Sequence, residues 1–526
     1  MKIHSNWTAL PVAMGFGVLS LAGCSANSSI IGLDSNSVVI GISDEVLSTD
    51  PASGYDPGSW LLFNNVFQTL LSFPNGGTEP QPEIAQECHF VDNRASVYQC
   101  HLKEGLKFSN GNSLTSEDVK FSFERTLRIS DPAGPAVMLS KISSIRTPDE
   151  KTVTFRLSSS DATFPSKIAS AAGSIVDHRE YSANTLRKDG HAMGSGPYVL
   201  ESFSSESATF HVNQNYSGTA KMHNSGVTLK FFHGDQKSLK DETLSKEIDI
   251  AYRGLTASDI SDIREKKRYE DFKVAEGAGS EVNHLVFNMD DPVTGRIGIR
   301  KAIAYLLDRN ALIDHVFEET ATPLYSIVPA GITGHRSAFF HAYGPNPSER
   351  KAKEALTDEG ITGKVRLTLW STPSRYGPST DAELQAIADQ LNESGLFEAD
   401  MKSVPFDRYE RDIAAGRYGV YVKGWVPDYP DAENFVAPFF GKENVLHNGY
   451  TNETISDSLL PSSATTRDRS DAITAFAEIQ EIVARDVPLL PIWQGKQYAV
   501  AHRDINGLQY CVDASTVFRF WEIGID

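Results

Sequence analysis

Cysteine is scarce in this chain, at four residues in 526, which excludes a fold held together mainly by disulfides. Long apolar runs are missing as well. The stretch Trp7 to Leu21 is shorter than a bilayer-spanning helix needs, and nothing after it is apolar for long enough. Basic residues are outnumbered, 49 to 68, for a formal charge of −19. Nucleic-acid binding rests on clustered Lys and Arg, so a nucleic-acid partner is not expected. The one basic run, Arg264 to Arg268, contains Glu265 and reads as a solvated helix face. The common catalytic signatures are absent too: no Gly-x-Ser-x-Gly elbow, no His-Glu-x-x-His, no phosphate-binding Walker loop. Gly194-Ser195-Gly196 lacks the elbow spacing, and Asp290-Asp291 directly before Pro292 reads as a loop rather than an acid/base pair. The 14 histidines are scattered without metal or catalytic spacing. No catalytic residue, metal or cofactor is expected.

What is present is a globular body with an export signal. Hydrophobic content of 40% and aromatic content of 10% are ordinary, and the length suits two or three domains with a large core. Lys2 is the only early charge. The apolar stretch ends in Leu21-Ala22-Gly23-Cys24, which resembles the bacterial lipobox. That resemblance implies cleavage before Cys24 and lipid on its thiol and amine; the other readings are an ordinary signal peptide with a chance cysteine, or an export signal left uncleaved. Residues 1–23 are then a signal peptide and 24–36 a polar tether. The body is expected outside the cytoplasm, in the periplasm or at the cell surface, lipid-anchored to a membrane through Cys24.

Cys88 and Cys100 lie in two short strand-like runs separated by Asp92-Asn93-Arg94-Ala95-Ser96, good turn chemistry. A hairpin there sets the two sulfurs opposite each other, and an exported protein meets oxidising conditions, so a disulfide is a candidate. His89 and His101 follow these cysteines directly. Alternation puts the histidines on the other face, which spoils a tetrahedral Cys₂His₂ site.

The remaining pattern is mixed α/β. Strands are expected at 37–42, 106–114, 152–157, 199–203, 282–288 and 488–493, and helices at 59–71, 119–127, 300–317, 382–391 and 471–483. Thr115 and Asp118 make a capping-box-like start for the second helix. Late in the chain stands Trp425-Val426-Pro427-Asp428-Tyr429-Pro430-Asp431. Trp, Tyr and a carboxylate at a turn suit capture of a small cationic group; a surface turn is the plainer reading.

Four segments in order resemble bacterial extracellular solute-binding proteins of the peptide and nickel class, family 5. They are Glu104 to Phe108 with Asn110-Gly111 and Ser116 to Ser122; Gly194 to Tyr198; Ile299 to Ile303 with Asp308-Arg309; and Gly424 to Asp431. The resemblance implies an α/β, two-lobed periplasmic-binding-protein type II-like (cluster C) fold with an extra inserted domain and ligand between the lobes. By that analogy lobe one is 37–74, 192–281 and 488–526, the inserted domain is 75–191, and lobe two is 282–487. It implies a substrate-binding receptor that delivers short peptides to an ABC permease and its ATPase, and acts as a monomer. Cell-wall peptides, a nickel chelate or haem are alternative ligands, and an adhesin or signalling receptor on the same scaffold is the rival from another class. The resemblance also implies that Asp428 pairs with the peptide ammonium and that Trp425 and Tyr429 line the pocket. Arg375, one residue early for the family pattern, grips the carboxylate or is a plain loop arginine. An unpaired buried charge is costly, so a carboxylate suits a buried ammonium, and arginine's fork suits a carboxylate.

Overall fold

Two long strands, Phe272–Phe287 and Leu489–His502, run antiparallel side by side through the middle of the molecule. The computed structural model describes residues 36–526 apart from 374, 375, 377, 378 and 443. Cys24 and Arg375 therefore lie outside the described residues. Near their midpoints the two strands lose register between Ala278 and Val282. Gly279 and Gly495 meet there: a Cβ on Gly279 would stand 2.4 Å from the Gly495 carbonyl oxygen, so only glycine allows this approach. Outside the shift the two strands belong to different neighbourhoods. Residues 272–278 pair with 496–502, and Ile250–Tyr252 continues that side. Residues 282–286 pair with 489–494, and Val420–Trp425 continues the other.

The result is one 11-stranded mixed sheet. From one edge it runs Phe397–Ser403, Val365–Ser371, Val420–Trp425, the two long strands, Ile250–Tyr252, Ser37–Ile42, Gly226–Phe231, Ser207–Val212 and Tyr198–Phe203. Ala321–Pro323 pairs beside the path. Three large hydrophobic cores flank it. One gathers residues 282–493. A second joins the N-terminal strand and its neighbours to residues 499–523. The third packs helix Ser116–Ile129 on a four-stranded antiparallel sheet of Ala85–Phe90, Val97–Leu102, Thr152–Leu157 and Ile142–Arg146. In that sheet Cys88 faces Cys100 and the two are disulfide-bonded. Their thiols are thereby consumed, and His89 pairs with Gln99 rather than with His101.

Several local readings meet their physical basis. Thr115 and Asp118 close a full capping box, satisfying helix N–H groups that have no partner within the helix. Other expectations need correction. The helix expected over 59–71 is Pro57–Val66. It stops because the Val66 carbonyl accepts from Gly196 N at 2.8 Å, and a Cβ on Gly194 would lie 2.1 Å from that same carbonyl oxygen. The Gly-Ser-Gly-Pro-Tyr segment is thus the helix's stop. The strand expected over 106–114 is a turn with a single Lys107–Ser113 bridge; Asn110 and Asn112 both donate to Asp177. The helix expected over 300–317 is two, Ile297–Leu306 and Arg309–His315. Asp308 breaks it by capping the second, accepting from Ala311 N at 3.0 Å.

Among the described residues no helix is long and apolar enough to cross a membrane.

Candidate functional site

The loop that leaves strand Val420–Trp425 is built by the helix that follows it, Ala432–Phe440. Asp431 caps that helix, accepting from Glu433 N at 2.8 Å, and is gripped by Arg469 through bonds of 2.7 and 2.9 Å. Asn434, buried in the first turn, reaches back. Its Oδ1 accepts from Trp425 Nε1 at 3.1 Å and from Asp428 N at 3.0 Å, and its Nδ2 donates to Asp428 Oδ2 at 3.2 Å. One amide therefore fixes three points of the loop.

Asp428 Oδ1 accepts a 2.5 Å hydrogen bond from Tyr55 Oη. Tyr55 comes from far upstream, on the loop before helix Pro57–Val66. That loop is anchored by a fully buried pair: Asp50 receives Arg125 through two bonds of 2.7 and 2.6 Å. Burial pushes the Asp428 carboxyl above the ordinary carboxylate range, while the bonds from Tyr55 and Asn434 and the charge of Lys167 pull it down. Desolvation and the Asp428 charge both push the Tyr55 pKa up, so Tyr55 keeps its proton and donates.

The other expected residues take different places. Trp425 is half-buried, set edge-to-face on Phe439 at 5.3 Å with its N–H taken by Asn434, and forms the base of the loop. Tyr429 is 5% exposed and packs into the third core, that of residues 70–175. Its hydroxyl donates to Glu433 at 2.5 Å and Lys167 lies 5.7 Å from its ring centre. It joins two parts of the molecule.

A cavity of about 260 Å³ lies where the long strands lose register. Val426 of the same loop lines it, with Tyr376, Trp493, Arg253, Glu281 and Lys496. Gly424 lets Tyr376 approach: a Cβ there would stand 2.8 Å from the tyrosine ring. Behind Trp493 is a buried carboxyl, Glu383, which accepts from Asn283 Nδ2 at 3.1 Å. Sequence reasoning missed Tyr55, Asn434, Arg253 and Glu383. Only Asn434 left a signal, as a lone amide among the apolar residues of Ala432–Phe440.

Taken together, the mixed sheet, the paired long strands, and a cavity where they lose register define a two-lobed α/β binding protein. The chain belongs to the bacterial extracellular solute-binding proteins, family 5: the model described as the family's Middle part matches residues 79–446. It is 25% identical to a probable D,D-dipeptide-binding periplasmic protein, DdpA, of Escherichia coli K12, over 92% of this chain and 93% of that one. Among solved structures it resembles HbpA2 of Haemophilus parasuis, with a TM-score of 0.80 at 20% identity over 93% of this chain and 100% of the other. It also resembles the periplasmic binding protein DppA of Helicobacter pylori in complex with the peptide STSA, with a TM-score of 0.74 at 22% identity over 93% and 98%.

Proposed function

We propose that this protein is the receptor of an ABC importer, that it captures short peptides between its lobes, and that lipid on Cys24 holds it to a membrane. It binds and releases its ligand without chemical change. The observation that carries the reading is the setting of Asp428. Its carboxylate is held by Asn434 on one side and met on the other by Tyr55, 373 residues earlier in the chain, with burial already raising the cost of its charge. An ammonium offers what such a carboxylate needs, a full charge and several donors in a small volume. The relatives named above for dipeptide binding and for a bound peptide support the same ligand class. Trp425 shapes the loop through its bond to Asn434, and Arg375 is the loop arginine that the family pattern offers for the carboxylate. An anionic metal chelate or haem suits this carboxylate less well than an amine does.

Mass spectrometry of small molecules that copurify with the protein, followed by calorimetry with di-, tri- and pentapeptides, tests the reading. A bound peptide mixture and tighter binding of the short peptides are expected. A bound metal complex, or no affinity for any peptide, overturns it.

A further inference from the structure

Two side-chain-bearing residues of the cavity wall have left-handed backbone, Thr516 with φ of +60° and Arg253. Arg253 follows strand Ile250–Tyr252 with φ of +56°, in the left-handed region, and is followed by Gly254 at +110°. Left-handed backbone is sterically disfavoured for a side-chain-bearing residue, and Gly or Asn accepts it with less strain. The chain nevertheless places a long cation at this position, and its side chain lines the cavity. Two neighbours hold the turn. Ser43 N donates to the Arg253 carbonyl at 3.3 Å, and a Cβ on Gly254 would lie 2.4 Å from Ser43 Cβ.

The guanidinium is positioned before any ligand arrives. Asp44 lies 2.8 Å from its Nε. A guanidinium has two donating edges, and Asp44 sits on the one that includes Nε. The side chain stays about one-third exposed. The cavity's other cation, Lys496, is matched by Glu276 at 2.8 Å, and Glu281 contributes a carboxylate to the same wall. Arg253 is thus the planar, two-edged donor at this wall, on a backbone turn that the fold holds in strain.

We propose that Arg253 binds the ligand's carboxylate from the first lobe, while Asp428, two residues beyond the cavity-lining Val426, takes its ammonium. The two ends of a zwitterion are then read by different lobes, so a peptide that offers both draws the lobes together. This rests on the peptide reading above and assigns the carboxylate end of it to Arg253 in place of Arg375.

The test compares dialanine and trialanine with their C-terminal amides by calorimetry on the wild type and on Arg253→Gln, Arg253→Lys and Arg375→Gln. A charge-assisted hydrogen bond of this kind corresponds to about tenfold to a hundredfold in affinity. The wild type is expected to prefer the acids by about that factor. Arg253→Gln is expected to lose the preference by weakening the acids while leaving the amides unchanged, and Arg253→Lys to keep part of it, since it retains the charge without the fork. If Arg253→Gln melts early, the partial loss in Arg253→Lys carries the test. Unchanged acid-over-amide preference in both Arg253 variants overturns the proposal, as does its loss in Arg375→Gln alone. Absence of binding by any of these peptides to the wild type overturns the peptide reading itself, and Arg253's role with it.

Discussion

Asp428 carries opposing demands at the scale of a single residue. Burial favours its neutral form, yet holding an ammonium requires the charged one. Its pKa is raised in the ligand-free protein, and a bound cation lowers it, so ligand binding and proton release are linked. Affinity for peptides should therefore fall as pH drops through that raised pKa and level off above it. Asp428→Asn should bind peptides about a hundredfold more weakly, because a buried ammonium is left without its counter-charge. The variant should also lose the acid-side fall in affinity. Calorimetry between pH 4 and 8 reads both effects, and a variant with wild-type pH dependence would remove Asp428 from the site.

At the scale of elements, strand Phe272–Phe287 and helix Thr380–Glu393 bury two groups whose titrations oppose each other. Glu383, fully buried and accepting a hydrogen bond from Asn283, is pushed up to about 8 by desolvation. His284, the next residue along the strand, has neither ring nitrogen bonded and is pushed down to about 3 by the same cause. Between pH 3 and 6.5 the unfolded chain binds the histidine proton and the folded chain does not, so stability rises with pH. Between pH 4.5 and 8 the folded chain keeps the glutamate proton that the unfolded chain has lost, so stability falls with pH. The two slopes cancel between 4.5 and 6.5, leaving a plateau with a decline on either side. Each full shift corresponds to a few kcal/mol at most. In Glu383→Gln the decline above pH 6.5 should vanish, and stability should instead rise from pH 3 to 6.5. Urea titrations across that range would show it; an unchanged alkaline decline would mean that Glu383 is not the group responsible. Elements like these also mark what was legible in the sequence. The Thr115–Asp118 box and the Cys88–Cys100 hairpin depend on residues close in the chain, so their patterns could be read directly. The split at Asp308 was equally local but was masked, because both helices share one apolar stripe. Glu383 looked like any helix-surface acid, since its burial under Trp493 depends on a strand more than a hundred residues downstream.

For the whole molecule, the decisive contacts are those that no local pattern encodes. Tyr55 and Asp428 are 373 residues apart in sequence. Tyr429, from the loop after strand Val420–Trp425, is buried in the core of residues 70–175. Ala162 N also donates to the Ala464 carbonyl at 2.9 Å. All three join segments far apart in the sequence. The pair of long strands changes neighbourhoods at Gly279 and Gly495, where the ladder is interrupted. Bending there costs little hydrogen bonding, so the balance between open and closed forms is set by the contacts across the cleft. Withdrawing the Tyr429 ring exposes a large buried aromatic surface, worth roughly 2–3 kcal/mol. The Tyr55 bond to a carboxylate adds about 1.5–3 kcal/mol before solvent screening at its partly exposed position. Tyr429→Ala should therefore move the ligand-free protein toward the open form, with Tyr55→Phe moving it in the same direction by less. Small-angle X-ray scattering should show a larger radius of gyration for both variants without ligand. Saturating peptide should return both to the wild-type value, because ligand contacts then replace the lost ones. If the ligand-free variants scatter like the wild type, closure is held elsewhere, and the Tyr55–Asp428 bond is a consequence of closure rather than one of its causes.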